Sequence, residues 1–163
     1  MALLALKELR RIICGRLMIM MSLLMVVGAT GCAGRPPDNL GLHNGKLAPC
    51  PASPNCVSSL SPDKEHAIEP LLYTTSRQRA LEDLKAIILH MKRTKIVTKS
   101  ENYVHVEFTS AIWRFVDDVE FYFDENAKSI QVRSASRLGK SDFGVNRKRV
   151  ESIRAVWQAV EKR

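Results

Sequence analysis

Residues able to do chemistry concentrate in one C-terminal stretch, Arg133-Ser-Ala-Ser-Arg-Leu-Gly-Lys-Ser-Asp-Phe-Gly-Val-Asn-Arg-Lys-Arg149, where six cations accompany one acid, Asp142. Two readings compete for it. In one, the loop from Gly139 to Gly144 and the start of the following helix cradle a phosphate or carboxylate. Unpaired N–H groups at a helix N-terminus and the arginine fork both suit such an anion. The ligand-binding candidates are then Arg133, Arg137, Ser141, Asn146 and Arg147. In the other, Arg133 and Arg137 pair with Asp117, Asp118 and Asp142 and lock strand, loop and helix together, a use that suits arginine's planar geometry. The second reading needs no ligand. It leaves unexplained why Arg147, Lys148 and Arg149 occupy a first helical turn, where the helix dipole favours acids.

Other constellations are thinner. His105 and Glu107 share a strand face and could ligate a metal, but two ligands without a third make a poor site, and a solvent-facing polar pair is the better account. Asp117, Asp118 and Glu120 could be paired acid–base carboxylates, yet neighbours on a strand point to opposite faces, so at most one aspartate joins Glu120. No serine or cysteine lies beside an evident base, and no Gly-x-Ser-x-Gly elbow is present. Gly139-Lys140-Ser141 imitates the end of a phosphate-binding loop, but Ser134 stands where that motif needs glycine. No catalytic residue, metal or cofactor is expected.

The elements that must position these residues are legible. Thr75 and Gln78 form a capping-box pattern, and Ala80, Leu81, Leu84, Ile87, Ile88 and Met91 follow at helical spacing. Lys95–Lys99 reads as a short strand, and Tyr103–Thr109 alternates cleanly between two faces. Ile112–Val116 and Val119–Phe123 continue the meander, with Asp117-Asp118 between them at a bend or bulge. Ile130–Ser134 is the last strand. Asn146 then caps a second helix that buries Val150, Ile153, Val156, Trp157 and Val160. The expectation is an α+β domain in two layers: an antiparallel sheet of three to four strands covered on one face by two helices, in the order α-β-β-β-β-α.

The N-terminus reads as an address. Lys7, Arg10, Arg11 and Arg16 precede an uncharged apolar run from Leu17 to Val27, and Ala29-Thr-Gly-Cys32 follows. A basic region, a short apolar region and small residues before a cut make a secretory signal. The run is shorter than the ~20 residues a spanning helix needs. This leader resembles that of bacterial lipoprotein precursors, with Cys32 as the lipid-modified first residue and alanine at the position most often held by leucine. Residues 1–31 are then a signal peptide, 32–48 a Gly/Pro/Asn-rich flexible tether, and 49–163 a single domain. The resemblance implies a membrane partner through lipid on Cys32 and a periplasm-facing location, at the outer membrane since Ala33 follows.

The formal charge is +8, and +5 without the leader's four cations and Glu8. That mild excess suits anionic lipid or polysaccharide surfaces. The basic residues lack the interleaved aromatics of a nucleic-acid groove, so no nucleic-acid partner is expected. With Cys14 in the leader and Cys32 acylated, Cys50 and Cys56 remain in an oxidising compartment where thiols pair. Their Pro-rich loop is read as closed by a disulfide, since five intervening residues miss the two-residue spacing of redox and zinc motifs.

From Cys50 onward the chain resembles a family classed as domain of unknown function 1499. The resemblance rests on Cys50-Pro with Pro54-Asn-Cys-Val-Ser-Ser59, on Phe115-Val-Asp-Asp-Val-Glu120, and on Arg133-Ser-Ala-Ser-Arg137 continuing through Asp142 to Val150. It implies a small, exported or membrane-associated domain without an assigned catalytic set. The functional expectation is a membrane-anchored envelope domain that binds a small anion, a lipid headgroup or an envelope protein, or is purely structural. The alternative is an envelope enzyme built on the Arg/Asp cluster.

Overall fold

In the computed structural model, which describes Ile13 and residues 33–162, the elements are β1 (Leu42–His43), β2 (Lys46–Leu47), β3 (Cys56–Ser58), β4 (Leu71–Leu72), α1 (Arg77–His90), β5 (Thr94–Lys99), β6 (Tyr103–Thr109), β7 (Val116–Asp124), β8 (Ser129–Ser136) and α2 (Val145–Glu161). The expected signal peptide and the acylation site Cys32 lie outside the described residues. The fold is α+β, and the order helix, four strands, helix runs from α1 to α2. The sheet has six strands rather than three or four, ordered β3-β8-β7-β6-β5, with β4 also on β8. β3 and β4 pair antiparallel with different parts of β8, at Ala135–Arg133 and at Ile130–Ser129. Strands of two and three residues are too short for alternation to reveal.

One sheet face is apolar by its period of two. Val104 and Val106 of β6, Val119 and Phe121 of β7 and Val132 of β8 join Leu84 and Ile88 of α1 and Ile153 and Trp157 of α2 in one core. Each fully buried side chain of this size contributes roughly 1.5–3 kcal/mol. Trp157 also donates its indole N–H to the Leu72 carbonyl at 2.7 Å, tying α2 to β4. Val156, expected in the buried stripe, is exposed.

Both helix starts differ from expectation by local hydrogen bonding. Ser76, not Thr75, caps α1, its hydroxyl accepting the Arg79 N–H at 3.2 Å. Asn146 lies inside α2, whose cap residue is Gly144 at φ 75°. Asp142 does the capping: Oδ2 accepts the Asn146 N–H at 2.7 Å and Oδ1 the Gly144 N–H at 3.0 Å. An acid at this end satisfies both the free N–H groups and the dipole.

The β6–β7 connection is also a correction. Ile112–Phe115 is a loop, closed by the Ser110 N–H to the Phe115 carbonyl at 2.8 Å and by the Phe115 N–H to the Ser110 hydroxyl at 2.9 Å. Asp117 and Asp118 sit inside β7 with no bulge, because pairing to β6 and β8 is continuous through both.

The sheet's second face is covered from the N-terminal side. Within residues 32–48, β1 and β2 form a hairpin turned at Asn44-Gly45, both at positive φ, the residue pair that a tight two-residue turn favours. Leu47 and Ala48 are buried, and β2 lies against β7 and β8. The stretch read as a tether thus carries an ordered hairpin, encoded by an Asn-Gly turn with two apolar residues, Leu47 and Ala48, to bury beyond it.

Candidate functional site

The strand period that sends valines to the helices sends polar residues to the opposite face. Register places His105 opposite Glu120, Glu107 opposite Asp118, and Glu120 opposite Arg133. Arg137, just past β8, joins them. Its Nε donates to Asp118 Oδ2 at 2.8 Å, and its Nη2 to Asp118 Oδ1 at 2.7 Å and Glu107 Oε1 at 2.5 Å. His105 Nε2 meets Asp118 Oδ1 at 2.7 Å. Beside this group, Glu120 Oε1 accepts the Tyr103 hydroxyl at 2.7 Å and the Gly41 N–H at 2.8 Å, and Oε2 accepts Arg133 Nη1 at 3.0 Å.

The pair expected to face solvent does not. His105 is buried and Glu107 half-buried, and both are tied to Arg137: Glu107 directly, His105 through the Asp118 they share. Burial works to raise the Asp118 carboxyl, but hydrogen bonds from Arg137 and then His105 outweigh it and hold it below 3.8. The same Asp118 bond, followed by that to Glu107, raises Arg137. Burial, then the Glu120 charge, raises the Tyr103 hydroxyl. Asp118 and Arg137 are therefore held as an ion pair and Tyr103 as a neutral phenol, and one donor beside them is left over. Arg133 is 2% exposed, and its Nε has no hydrogen-bond partner among the described residues. Arg133 lines a cavity of about 380 Å³ together with Arg35, Asn39, Cys50, Asp118 and Arg137.

A second polar network lies on the helix face. Asn146 is wholly buried: its Oδ1 accepts the Ser134 hydroxyl at 2.5 Å and Arg149 Nη1 at 2.6 Å. Its Nδ2 donates to the Asn55 carbonyl and the Ser136 hydroxyl, both at 2.9 Å. Arg149 pairs with Asp117 and lies 4.8 Å from the Phe108 ring centre. Arginine over an aromatic face is attracted by the ring's quadrupole.

The five ligand candidates do not converge. Arg133 and Arg137 belong to the cluster on the sheet's second face and Asn146 to the helix-face network. Arg147 donates to the Ala67 and Glu65 carbonyls at 2.7 and 2.8 Å, pinning a distant loop. Ser141 is exposed, its hydroxyl accepting the Phe143 N–H at 3.3 Å. The helix start expected to cradle an anion is filled by Asp142. Of the expected ion pairs, Arg137–Asp118 is present, while Arg133 takes Glu120, Asp117 takes Arg149, and Asp142 pairs with backbone. The Cys50–Cys56 disulfide is formed, with Cα atoms 5.7 Å apart.

The family model described as "Protein of unknown function (DUF1499)" matches residues 46–156. The chain belongs to the DUF1499 family. No curated protein matches it. The matched span of this DUF1499 chain holds the disulfide and the strand residues of both polar networks. Arg35, Asn39 and Gly41, which close over Arg133 and Glu120, precede it.

Sequence reasoning missed Tyr103, Glu120 and Arg149 as network members and Arg35 as a cavity residue. For Glu120 a signal existed, since strand parity puts it on the face of His105 and Glu107 once β7 is read without a bulge. For Arg35 there was none. Among the described residues no three His, Cys, Asp or Glu side chains are grouped to hold a metal ion.

Proposed function

We propose that this DUF1499 chain is a membrane-tethered domain of the bacterial cell envelope that acts by binding, and that its ligand is a small anion held at Arg133. Arg133 carries the reading: its Nε is buried without a partner among the described residues, and the residue lines a cavity of about 380 Å³. An unsatisfied buried donor costs about 1–3 kcal/mol, more when charged, and a carboxylate or phosphate in the cavity would add an anion beside this under-satisfied guanidinium. Arg35, exposed at the same cavity and outside every ion pair among the described residues, supplies the second cation. An enzymatic use of the cluster has less support, because Asp118, Glu107 and Glu120 are each bound by arginine. Support for the tether is in the leader: Lys7 to Arg16, the apolar run, and Ala29-Thr-Gly-Cys32.

Mass spectrometry of natively purified protein tests the binding half, with phosphate and acetate as added probes. Retention of an anionic ligand, or a melting rise with either probe that Arg35→Ala abolishes while leaving the unliganded melting point unchanged, is expected. A melting point indifferent to both probes, with no ligand retained, removes the reading. Fatty-acid labelling in cells tests the tether: label lost in Cys32→Ala supports it, and unlabelled wild type excludes it.

A further inference from the structure

Two loops at one end of the sheet expose apolar side chains that no folding requirement explains. Trp113 is 69% exposed and Ile112 79%, while Phe143 is 89% exposed on a backbone at φ 54°. Left-handed backbone is a poor place for a bulky residue, so the chain accepts strain while holding that ring in solvent. Trp113, Phe115, Leu138 and Phe143 line one shared cavity of about 520 Å³ between the loops. Contiguous apolar surface of this kind marks an interaction site.

We infer that this end of the domain docks onto a lipid bilayer bearing anionic headgroups, with Trp113 and Phe143 inserted at the interface. Charge complementarity favours a bilayer. Arg114, Lys140 and Lys148 lie on the same loops and first helical turn, all exposed and in no ion pair among the described residues. The nearby acids are committed, Asp117 to Arg149 and Asp142 to the start of α2. Aromatic side chains ringed by free cations match the headgroup region, where indole prefers to sit and each cation near an anionic surface gains about 1 kcal/mol.

The chain's own path is the second support, and it rests on the tether reading. Gly34 runs so close over this end that a Cβ there would lie 3.1 Å from Leu138 Cγ. Residue 32 is bonded two positions before Gly34, within about 7 Å along the chain. A lipid on Cys32 would therefore enter the membrane beside the patch, and the domain would lie down on its loops rather than stand off on a leash.

The experiment uses the full chain in vesicles of phosphatidylglycerol and phosphatidylethanolamine, with and without bromine on the acyl chains. Trp157, 2% exposed in the core, gives a constant background. Brominated lipid is expected to reduce the Trp113 emission by roughly half, given the headgroup-level depth of interfacial tryptophan, and Trp113→Phe to abolish the change. The control places tryptophan at the far end of the sheet, Leu72→Trp in the Trp113→Phe background, where no quenching is expected. Equal emission from Trp113 in both vesicle sets overturns the inference and leaves the patch to a protein partner. Equal quenching at positions 72 and 113 overturns it as non-specific adsorption. Acyl labelling of the same preparation separates the two proposals. Quenching without label at Cys32 sinks the tether and keeps the docking, and label without quenching does the reverse.

Discussion

Arg137 grips Asp118 with two prongs, Nε to Oδ2 at 2.8 Å and Nη2 to Oδ1 at 2.7 Å, both side chains almost fully removed from solvent. Neither ion is tolerable there alone. Arg137→Ala leaves Asp118 buried beside only His105, and the loss of a buried partner costs about 3–5 kcal/mol. Denaturant titration should show that loss, and the Asp118→Ala, Arg137→Ala double variant should lose clearly less than the sum of the singles. Arg137→Lys should not rescue it, since a point charge cannot reproduce the fork. Additive losses would mean the pair is not energetically coupled.

Asp118 also sets an acid limit. Its folded carboxyl titrates below its ordinary value, so its stabilising contribution is present at neutral pH and is lost as pH falls through the depressed value. Unfolding curves below about pH 4 should steepen for wild type and flatten for Asp118→Asn, after allowing for that variant's lower starting stability. Parallel pH profiles would contradict this.

His66 works in the opposite sense. Buried near the Ser53 carbonyl, with its Nδ1 2.8 Å from Asp63 Oδ1, it titrates above 6.5 despite a burial effect that acts to lower it. Asp63 is held down to about 2, first by the His66 backbone N–H, so it stays charged throughout. Protonated His66 therefore stabilises the fold below its unfolded value, and that contribution is lost as pH rises through the raised one. The melting-point gap between wild type and Asp63→Asn should narrow from about pH 5.5 to about pH 8.5. A gap that does not change would rule the linkage out.

Asp142 carries the cap of α2 through two backbone N–H groups. Asp142→Ala should cost about 1 kcal/mol, the usual worth of such a cap, with Asn recovering most of it. Amide exchange at Gly144 and Asn146 should rise before exchange in the sheet does. Unchanged exchange at these two amides would show that the cap is idle.

Reduction of Cys50–Cys56 should lower stability by about 2 kcal/mol on loop-entropy grounds, because the ring is small. Cys56 pairs with Ala135 in β8 and Cys50 lines the Arg133 cavity. The same treatment should therefore weaken any anion effect on melting. A full anion effect in the reduced protein would detach the loop from the site.

What the sequence determined by itself is whatever repeats locally. Tyr103–Thr109 is a strand with its predicted boundaries, and the Ala80–Ile88 stripe of α1 faces the core. Both follow because side-chain direction is set by backbone period. The helix–four strands–helix order, the α+β class and the disulfide were legible for similarly local reasons. Only the tertiary structure decided which charge meets which. Arg133 chose Glu120 because strand register set them opposite, and Arg149 reached Asp117 across the helix–sheet interface. Glu120, wholly buried, takes one of its three donors from the Gly41 N–H, 79 positions earlier in the chain. Partner choice among many arginines and acids depends on register and on covering segments, and neither is written in the spacing of the residues that pair.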